Sequence, residues 1–318
     1  MPASEPSAFI VAEGIAPLPP ELGRPVLAIG NFDGVHRGHR AVIDAALRLG
    51  RRLGRPAAAL TFEPHPRTFF QPGTELFRLT PGPEKLAALR ESGLDGAVIL
   101  PFDAGFAALT ADDFVETVLK ARFDVSGVVV GYDFHFGRNR AGSPAFLQQS
   151  GARLGFEVEV VQPMLDSGDP VSSTAIRNAL ASGQVGHAAH MLGRPWRVTA
   201  TVIHGDKRGR VLGFPTANLR LPAGTQLARG IYAVRVHLDG RSLDAVASYG
   251  RRPTFDNGAE LLEVFIFDFS GDLYGRELAV SFHNYLRPEL KFDGVEALVA
   301  QMHQDSAAAR ALLAADRG

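Results

Sequence analysis

The chain has 318 residues, 46% of them hydrophobic and 21% charged, a formal net charge of −1 and no cysteine. That length predicts about two domains. The near-neutral charge excludes a basic nucleic-acid clamp, and the missing thiols exclude disulfides and thiolate metal sites, which suits a reducing compartment. No apolar run reaches the ~20 residues of a membrane helix, and the start, MPASEPSAFIVAEG, carries no basic segment ahead of an apolar one, so no signal peptide is expected. The protein reads as cytoplasmic, with neither membrane nor nucleic acid as partner; oligomeric state is not set by the sequence.

Residues 26–161 alternate two periods. VLAIG, AAALTF, GAVILPF, GVVVGYDF and FEVEVV are continuous apolar runs, as in parallel strands covered on both faces. Between them, HRAVIDAALRLGRRLG places Val42, Ala46, Leu49 and Leu53 on one helical stripe. LTADDFVETVLKARF opens with Thr110 and Asp113 in a capping-box pattern. The alternation predicts a doubly wound α/β sheet with its ligand beyond the carboxyl ends of the strands. After about residue 187, RPWRVTATVIHG, GIYAVRVHL, SLDAVASYG, LLEVFIFDF and ELAVSFHNYL are strand-like runs separated by short turns, the pattern of an antiparallel β-barrel. Val295, Leu298, Val299 and Met302 make one face of a terminal helix. The expected domains are 1–187 and 188–318.

The first chemical constellation is GNFDGVHRGHR, residues 30–40, just after the first apolar run. No two glycines are separated by a single residue and Gly-Lys never occurs, so both the dinucleotide fingerprint and the P-loop are absent. Gly30, Gly34 and Gly38 let backbone approach a ligand, and His36 and His39 fall on the first turn of a helix, whose N-terminus favours anions. Imidazoles there can donate hydrogen bonds to phosphate oxygens. VSSTAIRNALASG supplies Ser172, Ser173 and Thr174 at a helix start and Arg177 one turn on; one cap needs one hydroxyl, so three with an arginine suit a pyrophosphate. The second constellation is HGDKRGRVLGFPTANL, where Gly205, Gly209 and Gly213 loosen a loop and Lys207, Arg208 and Arg210 charge it. Thr216 and Asn218 offer hard oxygens suited to Mg²⁺ with phosphates completing its shell. Two rivals are a metal-dependent hydrolase using Asp33, His36, His39 and His65, and a barrel that stacks nucleic acid on Phe265, Phe267 and Phe269.

His36-Arg37-Gly38-His39 resembles the HxGH signature of the nucleotidyltransferase superfamily, and VSSTAIR its SSTxIR motif. FEPHP (62–66) and GYDFHFGRNRAG (131–142) are similar to stretches of the prokaryotic bifunctional riboflavin kinase/FMN adenylyltransferases, and GFPTANL, YGRRPTF, LLEVFIFDF, LYG and YLRPELKF resemble their kinase half in order. The resemblance implies a transferase with an N-terminal nucleotidyltransferase domain that makes FAD and pyrophosphate from FMN and ATP. It also implies a C-terminal barrel that makes FMN from riboflavin and ATP, with Mg²⁺ at both steps. Carried over by residue, it places ATP and its phosphates at Gly30, Phe32, Asp33, His36, Gly38, His39, Ser172, Ser173, Thr174 and Arg177, and at Gly205, Lys207, Gly209 and Gly213 in the barrel domain. Asp133, Phe134 and Arg287 would meet flavin, Thr216 and Asn218 the metal, and Glu263, set in the barrel mouth, would be the general base. His135 stands where the family usually has arginine, Phe265 where it often has histidine, and Ser248-Tyr249-Gly250 where it often has NIG. The alternative is a chain that retains one activity, its other half a nucleotide-binding regulatory module.

Overall fold

The computed structural model describes residues 8–73, 75–205, 209, 212–251 and 260–317. The chain groups into two compact units, Met1–Ser172 and Ser173–Gly318.

In the first unit, β1 (Ile10–Glu13), β2 (Val26–Ile29), β3 (Ala57–Glu63), β4 (Gly96–Pro101), β5 (Gly127–Gly131) and β6 (Glu157–Val161) form one parallel sheet in the order β1-β4-β3-β2-β5-β6. Both faces are covered, which is why the central strands read as unbroken apolar runs. Leu27, Leu60, Val98 and Val128 pack on one side with Phe114 and Leu119. Val26, Ala28, Ala59 and Val129 pack on the other with Ile43, Ala46 and Leu49. The latter three belong to α1 (Arg37–Leu53), which joins β2 to β3 and ends on Gly54 in the left-handed region. Next come α2 (Pro66–Phe70), α3 (Gly82–Glu91), α4 (Ala104–Ala108) and α5 (Ala111–Asp113). The expected capping box forms, with Thr110 and Asp113 bonding each other's backbone N–H, and the segment continues as a π-helix, Phe114–Arg122. Beyond β5, α6 (Pro144–Leu154) leads to β6, and a small hairpin of β7 (Leu165–Asp166) and β8 (Asp169–Pro170) closes the unit. From β2 the chain runs to β3 on one side, while β5 lies on the other. The carboxyl ends of β2 and β5 therefore flank the switch point where such sheets bind ligands.

The second unit opens with α7 (Ser173–Ala181) and α8 (Val185–Leu192), tied to the barrel by the Ala228 N–H donating to Leu180 O at 3.0 Å. β9 (Trp196–Ile203), β10 (Ala217–Leu219), β11 (Gly230–Leu238), β12 (Arg241–Arg251), β13 (Glu260–Ile266) and β14 (Glu277–Arg287) close a barrel in the order β10-β13-β12-β11-β14-β9. Its interior is filled by Trp196, Leu219, Tyr232, Val234, Tyr249, Leu262, Val264 and Phe282, all buried. Trp196 stacks on Phe282, and Tyr232 meets Phe282 edge to face.

The terminal helix α9 (Val295–Ala315) lies on the outside, with Ala309 and Leu313 against Ala233 and Phe267. Its buried stripe, Asp305, Ala309 and Leu313, continues at helical spacing the face expected from Val295, Leu298, Val299 and Met302. The fully buried positions lie in the later turns, while Leu298, Val299 and Met302 are half-buried and Val295 is exposed. Ion pairs fix this docking. Arg287 holds Asp305 through two bonds of 2.9 and 2.5 Å, and Arg235 reaches Asp316 at 2.7 Å.

Candidate active sites

The GNFDGVHRGH turn starts where β2 ends, at the switch point. His36 is the N-cap of α1, and its Nδ1 accepts the His39 N–H at 3.2 Å. An accepting Nδ1 carries no proton, so His36 is the neutral tautomer with its N–H on Nε2. The His36 and His39 rings stack at 3.6 Å, and Phe32 meets His39 edge-on at 5.2 Å. Burial, with the nearby His36 and Lys85, holds His39 well below the ordinary histidine value, so it too is neutral near pH 7. Its Nδ1 is buried and has no hydrogen-bond partner among the described residues.

Gly38 has an ordinary helical role to refuse rather than a special φ to adopt: a Cβ there would sit 3.2 Å from His36 Cε1 and Nδ1 and 3.3 Å from Val171 O. The glycine makes room for the imidazole, and the same contact brings Val171, the residue before Ser172, against the turn. Gly30 closes β2, its N–H donating to Leu60 O at 3.1 Å. Asp33 is enclosed, 1% exposed. Its carboxylate accepts the Leu79 and Thr80 N–H groups.

His65, in FEPHP, repeats the device of His36: as N-cap of α2 its Nδ1 accepts the Arg67 N–H at 3.1 Å. Asp133 and Phe134 follow β5, turned by the Phe134 N–H donating to Gly131 O. Asp133 is exposed, and its carbonyl faces His135 Nδ1 at 2.9 Å. Phe134 stacks on Phe136, which joins it to the aromatic core of Phe114 and Phe146. The first unit thus gathers Gly30, Phe32, Asp33, His36, Gly38 and His39 in one turn, with Ser172 next to Val171. In the second unit Ser173 begins α7, Thr174 is exposed and Arg177 is buried.

Sequence reasoning missed a charged group behind the turn. Arg78 grips Glu63 with both terminal nitrogens at 3.1 and 2.8 Å, and Lys85, itself buried, donates to Glu63 at 2.6 Å and Thr61 Oγ1 at 3.2 Å. Burial alone would push the Glu63 carboxyl up; the hydrogen bonds from Arg78 and Lys85 outweigh it and hold it down at about 2. The sequence marks Glu63 only as part of FEPHP and Lys85 not at all, so only their meeting in space reveals them.

In the barrel unit, Asn218 on β10 pairs directly with Glu263 on β13, and Glu263 with Ser248 on β12. Directly paired residues share a face of the sheet. Since Leu262 and Val264 fill the interior, Glu263 lies on the barrel's outer face with Asn218 and Ser248, not in its mouth, because side chains alternate along a strand. Phe265 follows on that face, against Phe214 and Phe267 and beneath α9.

Gly205 and Gly209, ahead of β10, approach the same place. A Cβ on Gly205 would strike the Asn218 amide at 2.4 Å, and one on Gly209 would meet Phe214 O and lie 3.6 Å from Thr216 Oγ1. Gly213 takes φ +86°. Thr216 is half-buried, Asn218 buried, and Asn218 Nδ2 points to Thr216 O at 3.5 Å. Lys207, Arg208 and Arg210 lie outside the described residues. Arg287 is committed to Asp305 and to Pro288 O.

Among the described residues no cluster of three His, Asp or Glu side chains is placed to hold a metal. The enclosed Asp33 carboxylate and the two capping imidazoles do not form the ligand set that the hydrolase reading needs. Thr216 and Asn218 fit a different role, since hydroxyl and amide oxygens suit a hard cation that arrives with its phosphates.

Family models match both halves of the chain. The FAD synthetase family model matches residues 19–175 and the riboflavin kinase family model residues 192–313. A bifunctional riboflavin kinase/FMN adenylyltransferase of Pseudomonas fluorescens is 43% identical over 305 residues, covering 96% of this chain and 98% of that protein. The chain belongs to the bifunctional riboflavin kinase/FMN adenylyltransferase family. The family member of Escherichia coli (strain K12) is 41% identical over 286 residues, covering 90% of this chain and 91% of its own. A crystal structure titled a macrolide-efflux protein, from Streptococcus pneumoniae, has the same fold, with a TM-score of 0.86 at 32% identity over 95% of this chain and 99% of its own. In the present chain no helix among the described residues is long and apolar enough to cross a membrane. Enzymes of this family use ATP and a divalent metal, and both family halves are present here in order.

Proposed function

We propose that this chain converts riboflavin to FMN on the outer face of its barrel, residues 188–318, and FMN to FAD at the switch point of its sheet, residues 1–187, with ATP and Mg²⁺ at each step. The observation that carries the adenylylation reading is the pair of stacked, neutral imidazoles at the start of α1. An oxygen of the FMN phosphate attacks the α-phosphorus of ATP, a P–O bond forms, and the bond to the β-phosphate breaks to release pyrophosphate. His36 and His39 hold phosphate oxygens through their N–H groups and stabilise the charge that builds there. They do not relay protons, since the attacking phosphate is already an anion. Ser172, Ser173, Thr174 and Arg177 serve the leaving pyrophosphate, and Asp133 and Phe134 the flavin.

In the kinase half, Thr216 and Asn218 hold the metal, which neutralises phosphate charge when bound. Glu263, paired across the strands with Asn218, accepts the proton of the ribityl 5′-hydroxyl as that oxygen attacks the γ-phosphorus and ADP leaves. Gly205, Gly209 and Gly213 let the loop come down on the nucleotide, with Lys207 adding charge. Arg287 acts on flavin through the placement of β14 and α9, because its guanidinium is bound to Asp305. The alternative of one active half gains no support from a chain that matches both family halves. The test is incubation of purified protein with riboflavin, ATP and Mg²⁺, followed by chromatography. FMN and then FAD are expected; FMN alone, or neither, rejects the bifunctional reading. Replacing Mg²⁺ by a chelator should abolish both products.

A further inference from the structure

The turn that presents the imidazoles is strained. Phe32 has φ +51°, Gly34 +93° and Val35 +42°. Glycine accepts such values, but a β-branched valine there is an outlier. Strain of this kind persists only when the surroundings over-determine it. Phe32 and Val35 are fully buried. The other restraint comes from a segment 46 residues away in sequence. Asp33 accepts the Leu79 N–H at 3.2 Å and the Thr80 N–H at 3.0 Å, while Thr80 Oγ1 accepts the Gly34 N–H at 2.8 Å. Between Leu79 and its support, Arg78 is bound to Glu63 through two bonds and brings Nε within 3.8 Å of Asp33. Lys85 holds Glu63 from α3. Two positive and two negative side chains balance.

We propose that residues 77–80, braced by Glu63 and Lys85, clamp the turn 32–35 in the conformation that presents His36 and His39, and that Asp33 and Thr80 are positioning residues for adenylyl transfer. This rests on the reading that those imidazoles meet phosphate. Asp33 is then no phosphate ligand: an enclosed carboxylate would repel phosphate, and its oxygens serve the 79–80 backbone. The strain has a use as well, since the unusual φ of Phe32 sets its ring edge-on to His39.

The test uses the full chain with Thr80→Val, which keeps the shape and loses the acceptor, and Thr80→Ser, which keeps the acceptor. Misplacing a cradle by a fraction of an ångström costs between about tenfold and a hundredfold in rate. We expect that loss in adenylylation kcat for Thr80→Val, with the KM for ATP moved by less than about threefold and riboflavin phosphorylation unchanged. Thr80→Ser should stay close to wild type. The kinase reaction normalises for chain concentration, and an almost unchanged ATP KM in adenylylation, with a wild-type thermal unfolding midpoint, shows that the first unit is folded, so loss of folded protein is not mistaken for loss of positioning. Wild-type adenylylation in Thr80→Val, or an equal loss in Thr80→Ser, overturns the clamp. If Thr80→Val does not fold, hydrogen exchange on the wild-type protein decides: the Gly34, Leu79 and Thr80 amides should exchange slowly and together, and a Gly34 amide as fast as an exposed loop overturns it. His39→Ala separates the two claims. Normal FAD synthesis in His39→Ala removes the underlying reading, whereas its loss beside a fully active Thr80→Val removes the clamp alone.

Discussion

His36 spends one ring nitrogen on the backbone, and in the proposed adenylylation the other meets phosphate. Its Nδ1 starts α1, which leaves Nε2–H as its only donor and fixes the tautomer. The two duties are separable. His36→Asn should preserve the helix start, since asparagine is a good N-cap, yet lower FAD formation, as read from the unfolding midpoint and the adenylylation rate in one preparation. His39→Ala should lower adenylylation by about 10²–10³-fold, the usual cost of one preorganised donor, with riboflavin phosphorylation within twofold of wild type. Glu263→Gln keeps the size of the side chain and loses the base, so kinase kcat should fall by about 10²–10⁴-fold while FMN adenylylation continues. Wild-type kinase turnover in that variant would eliminate Glu263 as the base.

At the scale of elements, α1 gives up helix propensity at Gly38 to make room for the His36 ring. Alanine there would strengthen an isolated helix by about 1 kcal/mol, but its Cβ would press on the His36 ring at 3.2 Å. Gly38→Ala should therefore slow adenylylation about tenfold or more with little loss of thermal stability, which steady-state kinetics and calorimetry together would show. The main elements were legible because their residues repeat a period: the apolar runs of β2 to β6, the α1 stripe, the Thr110 capping box and the longer barrel strands. β1 and β10 were not, since a strand of four or three residues gives too few alternations to count. The α9 face was legible in its early turns, but its buried continuation includes Asp305, a carboxylate neutralised by Arg287 from another element, which no apolar pattern marks. The HxGH turn was legible as a motif, but its clamp depends on pairs far apart in sequence. The outward direction of Glu263 needed the barrel's register, which local pattern does not set.

For the molecule as a whole, acid should weaken both units. Burial above all depresses the basicity of His39 in the first unit and of His237 and His283 in the second. The unfolded chain then binds more protons than the folded one as pH falls through the ordinary histidine range, about 6.5, so stability drops in that direction. Glu63, held at about 2, adds a second loss that begins below its unfolded value, about 4.3, and continues toward pH 2. Unfolding midpoints measured from pH 8 to pH 4 should decline, and a flat profile would contradict these assignments. Finally, the barrel is solid. With Trp196, Tyr232 and Phe282 occupying its axis and Asn218, Glu263 and Ser248 on its exterior, it is a scaffold and not a receptacle. Repacking the lumen should alter heat resistance and leave substrate choice alone, whereas exchanges along the exterior row should do the reverse, so durability and selectivity can be engineered as independent traits.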